Sequence, residues 1–374
     1  MNKKSLKKAL FAAIAAAAFS FEIYTAVPDK ITLIEGRSYN LPPVISGLSK
    51  TTSHLKLLGI FPYKTVDVSV ISDEELILSG ETVGIKINAD GVLVLGLADI
   101  KTKDGNACPA ASAGLTSGDL IKEINGQQVK SVAELEQKTA ENDKCTILFE
   151  RDGELKTTEA VPEISTDDGT KKLGVWVRGS TTGIGTMTYI APSDGRFGAL
   201  GHSITDADTG QLIKAGNGQL LPAAVTGVTK GRIGLPGEIR GTVSSGKGLG
   251  SVDINTEYGV FGNIDEIPGG QKIPIASKDE LQTGSAYIVS DVAGGAPVMY
   301  SAEIQHININ ADNNKGMVIK VTDDRLLNLT GGIIQGMSGS PIVQNGKLAG
   351  AVTHVFVNDP SRGYGVFIEN MLTQ

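Results

Sequence analysis

A short loop near the end of the chain carries the residue types that nucleophilic catalysis requires. Ser338 lies in the run Gly-Met-Ser-Gly-Ser-Pro, which a strand, an Asn-Gly turn and a second strand follow. Glycines beside a serine permit a tight turn that projects the hydroxyl and points backbone N–H groups toward the same place. This pattern predicts Ser338 as a nucleophile, with the N–H groups of Gly336 and Ser338 as the oxyanion hole. Ser340 is the alternative nucleophile, and simple turn formation is the alternative role for both serines.

A serine nucleophile needs a neighbouring base, and the chain has only four histidines. His202 follows an apolar strand at residues 197–200 and precedes the nucleophile, so it is the predicted general base. His354 lies in the strand after the nucleophile loop, where a packed or rim histidine is expected. His306 lies on a strand with no evident task, and His54 lies outside the catalytic half.

The third group of such a site is usually a carboxylate that orients the imidazole and stabilises its protonated form. Residue types alone leave several candidates open. Two of them, Asp206 and Asp208, are more typical of an Asx-type turn before Gly210. The candidates are Asp206, Asp208, Asp253, Asp291 and Asp323.

Two units of different pattern must position these residues. Between residues 80 and 165, short strands surround the run SAGLTSGDLIKEINGQQV, which contains a small-residue turn, a buried strand and an Asn-Gly hairpin, and a helix follows. This order resembles a PDZ domain, and the resemblance implies an α/β unit that binds an extended peptide as an added strand. Val92, Leu93 and Val94 are the predicted peptide-accepting residues, with a plain buried strand as the alternative.

From residue 166 onward, the chain consists of strands separated by glycines, which predicts a pair of β-barrels. With 47 glycines and few aromatic residues, the composition also favours a mainly β fold. The predicted domains are a PDZ-like unit at 80–165 and an all-β catalytic unit at 166–374. A β extension at 28–79 precedes them.

Residues 1–27 are typical of an export signal or an N-terminal membrane anchor. Four lysines precede an apolar run at residues 9–21 that is too short for a stable membrane span. The net charge of −7 and the lack of a later basic block argue against nucleic acid as a partner. Two cysteines, Cys108 and Cys145, without a Cys/His cluster predict neither a disulfide framework nor a metal site.

Three stretches carry a more specific resemblance. GALGHSITD around His202, IKVTDDRLL around Asp323 and TGGIIQGMSGSPIVQNGKLAGAV around Ser338 closely resemble the sporulation stage IV protein B peptidases. The resemblance implies a chymotrypsin-like double β-barrel serine peptidase that needs no metal or organic cofactor. It also implies the triad His202, Asp323 and Ser338. Asp324 is the alternative acid, and a helix N-cap is the alternative role for both aspartates.

The same resemblance implies an exported, sporulation-specific endopeptidase in the space between the forespore membranes. Its expected substrates are the chain itself, through self-association, and a membrane-bound regulator of an intramembrane protease that matures a mother-cell sigma factor. Contact with the membrane is expected only through the N-terminal segment. A catalytically silent PDZ scaffold and a general quality-control serine protease are the alternatives.

Overall fold

The computed structural model describes residues 30–37, 45–46, 52–57, 61–213, 215–311 and 313–374. The predicted export segment at residues 1–27 lies outside this part. Within it, strands dominate and the helices are short. No helix in these ranges is long and apolar enough to cross a membrane. The protein is therefore mainly β, as its sequence predicts.

The first described strands form a small sheet that packs on the rest of the molecule. They are β1 (Lys30–Ile34), β2 (Ile45–Ser46), β3 (Thr52–Leu57) and β4 (Phe61–Ile71), in the order β1-β4-β3-β2. Alternation along β4 buries Val66 and Val68 and exposes Asp67, which confirms the predicted strand. Ile34 and Ile71 pack into the apolar layer between two barrels described below.

One long strand links the two main units. After the short β5 (Leu76–Leu78), β6 (Thr82–Leu97) runs for 16 residues. Its first part, up to Ala89, pairs within the first barrel, and its second part, from Val92, pairs inside the PDZ-like unit. Gly91 lies between the two parts, and a Cβ there would lie 2.5 Å from a carbonyl oxygen. The sequence predicts two separate strands here, both within the PDZ-like domain, whereas the structure shares one strand between two units.

The PDZ-like unit has the turns and the helix that the sequence predicts. Asn125 and Gly126 have φ of 51° and 75°, as a two-residue hairpin turn requires. The Ser131 hydroxyl caps the helix by accepting the Glu134 N–H. The elements are β7 (Ile100–Thr102), β8 (Gly105–Ala107), α1 (Pro109–Ser112), β9 (Leu120–Ile124), β10 (Gln127–Gln128), α2 (Val132–Ala140), β11 (Cys145–Arg151) and β12 (Glu154–Ala160), then an exposed hairpin of β13 (Glu163–Ile164) and β14 (Lys171–Lys172).

The first barrel closes through six strands. The chain continues through β15 (Val175–Ile190), β16 (Arg196–Ala199), β17 (Ala215–Thr229), β18 (Glu238–Val243), β19 (Gly250–Thr256), β20 (Gly259–Ile264) and β21 (Lys272–Ile273). The pairings run β6-β17-β19-β20-β16-β15 and return to β6. Ile85, Phe197 and Val260 lie in its buried core. β15 is also shared, because residues 175–178 pair with the PDZ-like part of β6 before the strand enters the barrel.

The second barrel follows a 3₁₀ turn at Lys278–Glu280. Its elements are β22 (Gly284–Ser290), β23 (Val298–Ile307), β24 (Met317–Val321), α3 (Asp324–Thr330), β25 (Pro341–Gln344), β26 (Lys347–Phe356), β27 (Asp359–Phe367) and α4 (Ile368–Leu372). The six strands close in the order β22-β23-β24-β27-β26-β25. An apolar layer that includes Tyr189, Phe261 and Val343 joins the two barrels. A PDZ-like unit followed by two barrels confirms the predicted fold class.

Because β6 and β15 run through both the PDZ-like unit and the first barrel, we predict that these two units unfold in one transition. Ile147→Ala in the PDZ-like core and Ile87→Ala in the barrel core each truncate a fully buried side chain, at an expected cost of about 2–5 kcal/mol. Both variants are expected to lower the midpoint temperature of the same unfolding transition in differential scanning calorimetry. Leu155→Ala, at an exposed position of β12, is the control. A separate transition that only one core variant moves contradicts the prediction.

Candidate active site

His202 follows a strained turn at the end of β16. The Gly201 N–H donates to the Ala199 carbonyl at 2.9 Å, and Leu200 between them has φ +69°. This γ-turn places a branched side chain in the left-handed region, an arrangement that persists only with support from its surroundings. The Leu200 N–H donates to the Thr186 carbonyl on β15 at 3.1 Å, which provides such support. The turn therefore fixes the backbone immediately ahead of His202.

The imidazole of His202 is held in one tautomer. Its Nδ1 lies 2.8 Å from the Ser203 carbonyl oxygen. A carbonyl oxygen can only accept a hydrogen bond, so Nδ1 carries the proton in the neutral ring and Nε2 keeps a lone pair. Burial lowers the pKa of His202 below 6.5, and the hydrogen bond to Ser203 offsets part of this effect. His202 is therefore neutral at pH 7, with Nε2 able to accept a proton.

Two glycines shape the loop that carries Ser338. Gly336 and Gly339 have φ of +94° and +95°, a backbone conformation that side chains rarely adopt. A Cβ on Gly339 would lie 1.9 Å from the Thr186 carbonyl oxygen. The loop can approach β15 this closely only with glycine there. The Gly-x-Ser-Gly pattern is thus required by packing as well as by the turn itself.

Two threonines of β15 hold this loop against the first barrel. The Thr186 N–H donates to the Ser338 carbonyl at 2.9 Å, and the Thr186 hydroxyl donates to the Gly336 carbonyl at 2.8 Å. The Thr188 hydroxyl donates to the Gly339 carbonyl at 2.7 Å. Both threonines are fully buried, and the bond from Thr188 to Gly339 is shielded from water, whereas the bond from the Thr186 hydroxyl to Gly336 is partly exposed. They fix the nucleophile loop of the second barrel relative to the first barrel.

Exposure separates the two candidate nucleophiles. Ser340 is 0% exposed, and its hydroxyl has no hydrogen-bond partner in the described part of the chain. Ser338 is half-buried, and its Oγ donates to the Thr353 carbonyl at 2.7 Å. A substrate can therefore reach Ser338 without rearrangement of the loop, but it cannot reach Ser340. The structure favours Ser338 as the nucleophile.

The backbone donors of the predicted oxyanion hole are available. Neither Gly336 nor Ser338 donates its N–H to a carbonyl among the residues that the structure describes. The N–H groups of Met337 and Gly339, in contrast, are bound to carbonyls at 3.1 and 2.8 Å. Alternate N–H groups of the loop are thus free to bind a developing oxyanion, as the predicted pair requires.

His354 lies beside His202. It follows Thr353 on β26, and the centroids of the two imidazoles are 4.9 Å apart at an interplanar angle of 36°. Gly201 permits this approach, since a Cβ there would lie 3.0 Å from Thr353 Cγ2. Desolvation, followed by electrostatic repulsion from Lys315 and from His202 when that ring is protonated, lowers the pKa of His354 to about 4, although the residue as a whole is exposed. The sequence predicts a packed or rim position for His354 and does not reveal this contact.

Asp323 is bound to other partners. Its carboxylate accepts the Ser301 N–H at 3.1 Å, and it accepts the backbone N–H and the guanidinium of Arg325 at 2.7–3.0 Å. It caps α3, the alternative role that the sequence leaves open. The Arg325 guanidinium holds the pKa of Asp323 well below its usual range. Within the described residues, no hydrogen bond joins it to His202, whereas Ser338 and His202 each contact one of the neighbours Thr353 and His354 on β26.

The other candidate carboxylates are also engaged. Asp206 is buried in the predicted Asx-type turn, and both Asp206 and Asp208 pair with Arg178 on β15. Asp291 accepts two hydrogen bonds from the start of β6. Asp253 accepts a hydrogen bond from the side-chain amide of Asn263 on β20. None of the four forms a hydrogen bond with His202 in the part of the chain that the structure describes.

A half-buried serine in a glycine-shaped loop and a neutral histidine, which contact the neighbouring residues Thr353 and His354 of one strand, are an arrangement typical of a serine peptidase. The family model described as SpoIVB peptidase S55 matches residues 169–372, more than half of the chain. The chain belongs to this peptidase family. A PDZ-domain model matches residues 105–151. The predicted family, peptidase activity and PDZ-like unit are all confirmed.

Some solved structures match part of this SpoIVB-family peptidase. The PDZ domain of the SdrC-like protein from Listeria monocytogenes is 28% identical over 24% of this chain and 87% of its own, with a TM-score of 0.19. The Rv3671c protease from M. tuberculosis, active form, is 15% identical over 51% of this chain and 71% of its own, with a TM-score of 0.31. The inactive form of that protease is 14% identical over 51% of this chain and 82% of its own, with a TM-score of 0.29. No curated protein matches the chain.

The PDZ-like unit of this SpoIVB-family peptidase does not present the predicted peptide-accepting edge. Val92, Leu93 and Val94 are buried, and β6 pairs here with β9 on one side and with β15 on the other. The Val94 N–H is also taken, because it donates to the Asp119 carbonyl at 2.8 Å. No edge remains there for a peptide. The prediction for these residues is corrected, and the alternative of a buried strand holds.

The open edge belongs to β15 instead. Among the described pairings, residues 175–178 pair with β6 on one side only, and α2 faces them across a groove of about 820 Å³. Leu173, Gly174 and Val175 line one end of this groove, and Trp176 in it is 68% exposed. The sequence signal for this edge is the apolar-glycine-apolar step Leu173-Gly174-Val175 at the start of a strand. It falls outside the predicted PDZ-like range and is therefore easily missed.

Ser338→Ala and Ser340→Ala are expected to separate the two serines of the loop. Ser338→Ala should lower kcat by about 10⁴-fold or more because it removes the nucleophile. Ser340→Ala should keep activity and stability, since the buried hydroxyl that it removes has no partner in the described residues. Peptidase activity and thermal melting of both variants test this. Loss of activity in a well-folded Ser340→Ala protein contradicts the assignment.

Asp323→Asn is expected to destabilise the protein in a pH-dependent way. It removes the charge-assisted bonds to Arg325, at a cost of about 1–2 kcal/mol at pH 7. Because folding lowers the pKa of Asp323, its contribution is fully present above its unfolded value, about 3.9, and is lost as pH falls below that value. Urea unfolding at pH 7 and pH 3 measures this. The control is Asp324→Asn, which removes an exposed carboxylate next in the chain. The prediction is contradicted if Asp323→Asn lowers the free energy of unfolding by the same amount at pH 7 and at pH 3.

Proposed function

We propose that this chain is an exported serine endopeptidase of sporulation. In this proposal it acts in the space between the forespore membranes, where it cleaves itself and a membrane-bound regulator of an intramembrane protease. That cleavage signals the activation of a mother-cell sigma factor. The family match over residues 169–372 supports the biological role. The observation that carries the catalytic role is the reachable Ser338, which is bound to the Thr353 carbonyl next to His354, the residue whose ring contacts His202.

Ser338 and His202 perform the bond-breaking steps. The Ser338 hydroxyl turns from the Thr353 carbonyl to His202 Nε2, which takes the proton as Oγ attacks the substrate carbonyl carbon. The N–H groups of Gly336 and Ser338 bind the oxyanion that forms. His202 then gives the proton to the leaving amine. Water, deprotonated by the same nitrogen, releases the acyl group from Ser338.

Asp323 is the triad acid in the family resemblance, and its surroundings give it a supporting role. Its carboxylate caps α3, and α3 ends at Gly331, where the nucleophile loop begins. In this position it holds the helix that leads into the loop. Direct contact with His202 requires Asp323 to leave Arg325 and Ser301, to which it is bound.

The groove between α2 and β15 provides a second contact for the substrate. A peptide that adds to the free edge at residues 175–178 lies on the same strand that holds the nucleophile loop through Thr186 and Thr188. The ten residue steps along β15 from Trp176 to Thr186 span about 33 Å. A substrate held in the groove is thereby kept within reach of Ser338 by a short extended segment.

Export is assigned to residues 1–27, whose lysines precede a short apolar run. Self-cleavage needs a cleavable segment of one copy to enter the cleft of another. The N-terminal region between the export segment and the first barrel precedes both catalytic side chains, so its loss leaves the catalytic residues in place. We therefore expect self-cleavage to occur ahead of residue 80.

The test uses the purified full-length chain beside Ser338→Ala and Ser340→Ala proteins prepared identically. Fragments are followed by gel and intact mass, first alone and then with a membrane-anchored candidate regulator in liposomes. We expect self-fragments and regulator cleavage with the wild type and with Ser340→Ala, and neither with Ser338→Ala. Fragments that persist with Ser338→Ala indicate another nucleophile or a contaminating protease. Peptide binding without cleavage by any version supports the scaffold alternative.

The sporulation role is tested in a spore-forming bacterium that lacks its own family member. We expect the wild-type chain to restore heat-resistant spores and Ser338→Ala to leave the defect. Ser340→Ala, from the same loop, is the matched control and is expected to restore spores. Cleavage in vitro without restoration of spores supports a general quality-control protease instead.

A further inference from the structure

The strand that leads away from the nucleophile has an open edge. On the side of the nucleophile loop, the pairing of β26 ends at Val352, which exchanges hydrogen bonds with the loop at 2.8 and 2.9 Å. In the described part of the chain, residues 354–356 pair only with β27, on the opposite side. His202 gives its proton to the leaving amine, so the leaving half of a substrate lies toward the first barrel. The acyl half, which stays on Ser338, therefore lies along this open edge.

A lysine lies beside the open edge. Lys315 follows Asn314, whose carbonyl accepts the buried Thr353 hydroxyl at 3.0 Å. The Asn314 amide donates to a first-barrel carbonyl between β19 and β20 at 2.9 Å, so the loop is anchored on two sides. Lys315 Nζ lies 5.3 Å from the Tyr364 ring centroid, and its charge contributes to the lowered pKa of His354. The structure thus presents this ammonium group next to the strand that receives the acyl half.

Two aromatic rings complete this surface. The Phe356 and Tyr364 ring centroids are 4.7 Å apart, and we call these two residues together with Lys315 the lysine patch. The Arg362 guanidinium lies 5.5 Å from the Phe356 centroid, but its charge is balanced by Asp359 at 2.6 Å. Lys315 is exposed and forms no ion pair with any residue that the structure describes. The lysine patch therefore carries a positive charge that no carboxylate of the described chain balances.

We propose that the lysine patch selects substrates with acidic side chains on the acyl side of the scissile bond. This inference rests on the proposed peptidase function and names a substrate class for the same cleft. A substrate carboxylate pairs with the Lys315 ammonium group, and its methylene groups pack on the Phe356 and Tyr364 rings. A basic side chain at the same place meets a like charge, so the lysine patch both attracts one class of substrate and rejects another.

The chain itself contains a segment of this kind. Its longest run of acidic residues is Asp73-Glu74-Glu75, in the short loop between β4 and β5. Asp73 pairs with Arg37, whereas Glu75 is exposed. The loop lies ahead of residue 80, in the region where we expect self-cleavage. A second copy of the chain can therefore offer the lysine patch the charge that the patch complements.

The first test measures binding and does not depend on activity. The full-length Ser338→Ala protein is titrated into a fluorescent peptide of residues 69–80 and into a neutral counterpart that carries Asp73→Asn, Glu74→Gln and Glu75→Gln. We expect the acidic peptide to bind about fivefold more tightly at low salt. The difference should shrink at about 0.5 M salt, because screening weakens exposed charge pairs.

Two charge reversals provide the matched comparison. Lys315→Glu in the same background is expected to make the neutral peptide the tighter ligand. Lys103→Glu changes the net charge by the same amount at an exposed turn between β7 and β8, and it is expected to keep the preference for the acidic peptide. Lys315→Met removes the charge but keeps a long side chain, so it should abolish the preference without reversing it.

The second test measures cleavage by the active chain. We expect kcat/KM to be about fivefold higher for the acidic peptide than for the neutral one. Lys315→Glu should instead favour a third peptide that carries Asp73→Lys, Glu74→Lys and Glu75→Lys. Mass spectrometry of the products locates the scissile bond relative to the acidic residues. All Lys315 variants should keep the wild-type rate of Ser338 labelling by an uncharged fluorophosphonate, because this reaction involves no acidic side chain.

The outcomes distinguish this inference from the proposed function. In the labelling reaction, Ser338 Oγ forms a P–O bond, fluoride leaves and the serine proton passes to His202. Absence of labelling in the wild type overturns the peptidase mechanism, and the binding test then still decides whether the lysine patch selects acidic peptides. Equal binding of the acidic and neutral peptides, or a preference that Lys315→Glu and Lys315→Met leave unchanged, overturns the lysine patch. Cleavage that places the acidic residues on the leaving side overturns it as well.

Discussion

The contact between two buried threonines and the nucleophile loop is the constraint on which the site depends. Ser338 belongs to the second barrel and His202 to the first, so no local turn can bring them together. Thr186 and Thr188 of β15 join the two barrels here by donating hydrogen bonds to three carbonyls of the loop, at Gly336, Ser338 and Gly339. Because both threonine side chains are fully buried, loss of a bond would leave an unsatisfied threonine donor in the interior, at a cost of about 1–3 kcal/mol each. The cleft geometry is therefore enforced by the barrel interface.

The same interface explains why unusual backbone conformations cluster at this point. Leu200, with φ +69°, donates to the carbonyl of Thr186, and the missing Cβ of Gly339 leaves room for that carbonyl oxygen. Strain of this kind persists only when neighbouring contacts determine it. The strained turn ahead of His202 and the glycine-shaped loop at Ser338 thus contact one residue of β15 from two sides. A change at Thr186 would disturb the base and the nucleophile together.

The sequence predicts what local chemistry determines. Asn-Gly turns usually have positive φ, so the PDZ-like hairpin could be identified, and glycine-separated runs identified the barrel strands. A Gly-x-Ser-Gly run is typical of a tight loop, so Ser338 could be selected as the candidate nucleophile. Long-range pairing has no such local signal. Nothing within residues 82–97 shows that β6 changes units at Gly91, or that β15 takes the edge beside Val92. His354 and Asp323 illustrate the same difference, because residue type alone leaves the role of each open. Only the folded structure shows that Asp323 caps α3 and that the His354 ring contacts His202.

Strand β15 begins at the peptide groove, forms a wall of the first barrel and ends with the threonines that hold the nucleophile. PDZ and peptidase units are commonly regarded as interchangeable modules that evolution joins through linkers. In the described part of this chain, the strands β6 and β15 themselves join the PDZ-like unit to the first barrel, so a crossover within either strand would break a barrel wall. Binding specificity in this lineage must therefore change by point substitution along the groove, and the two units are expected to share one evolutionary history.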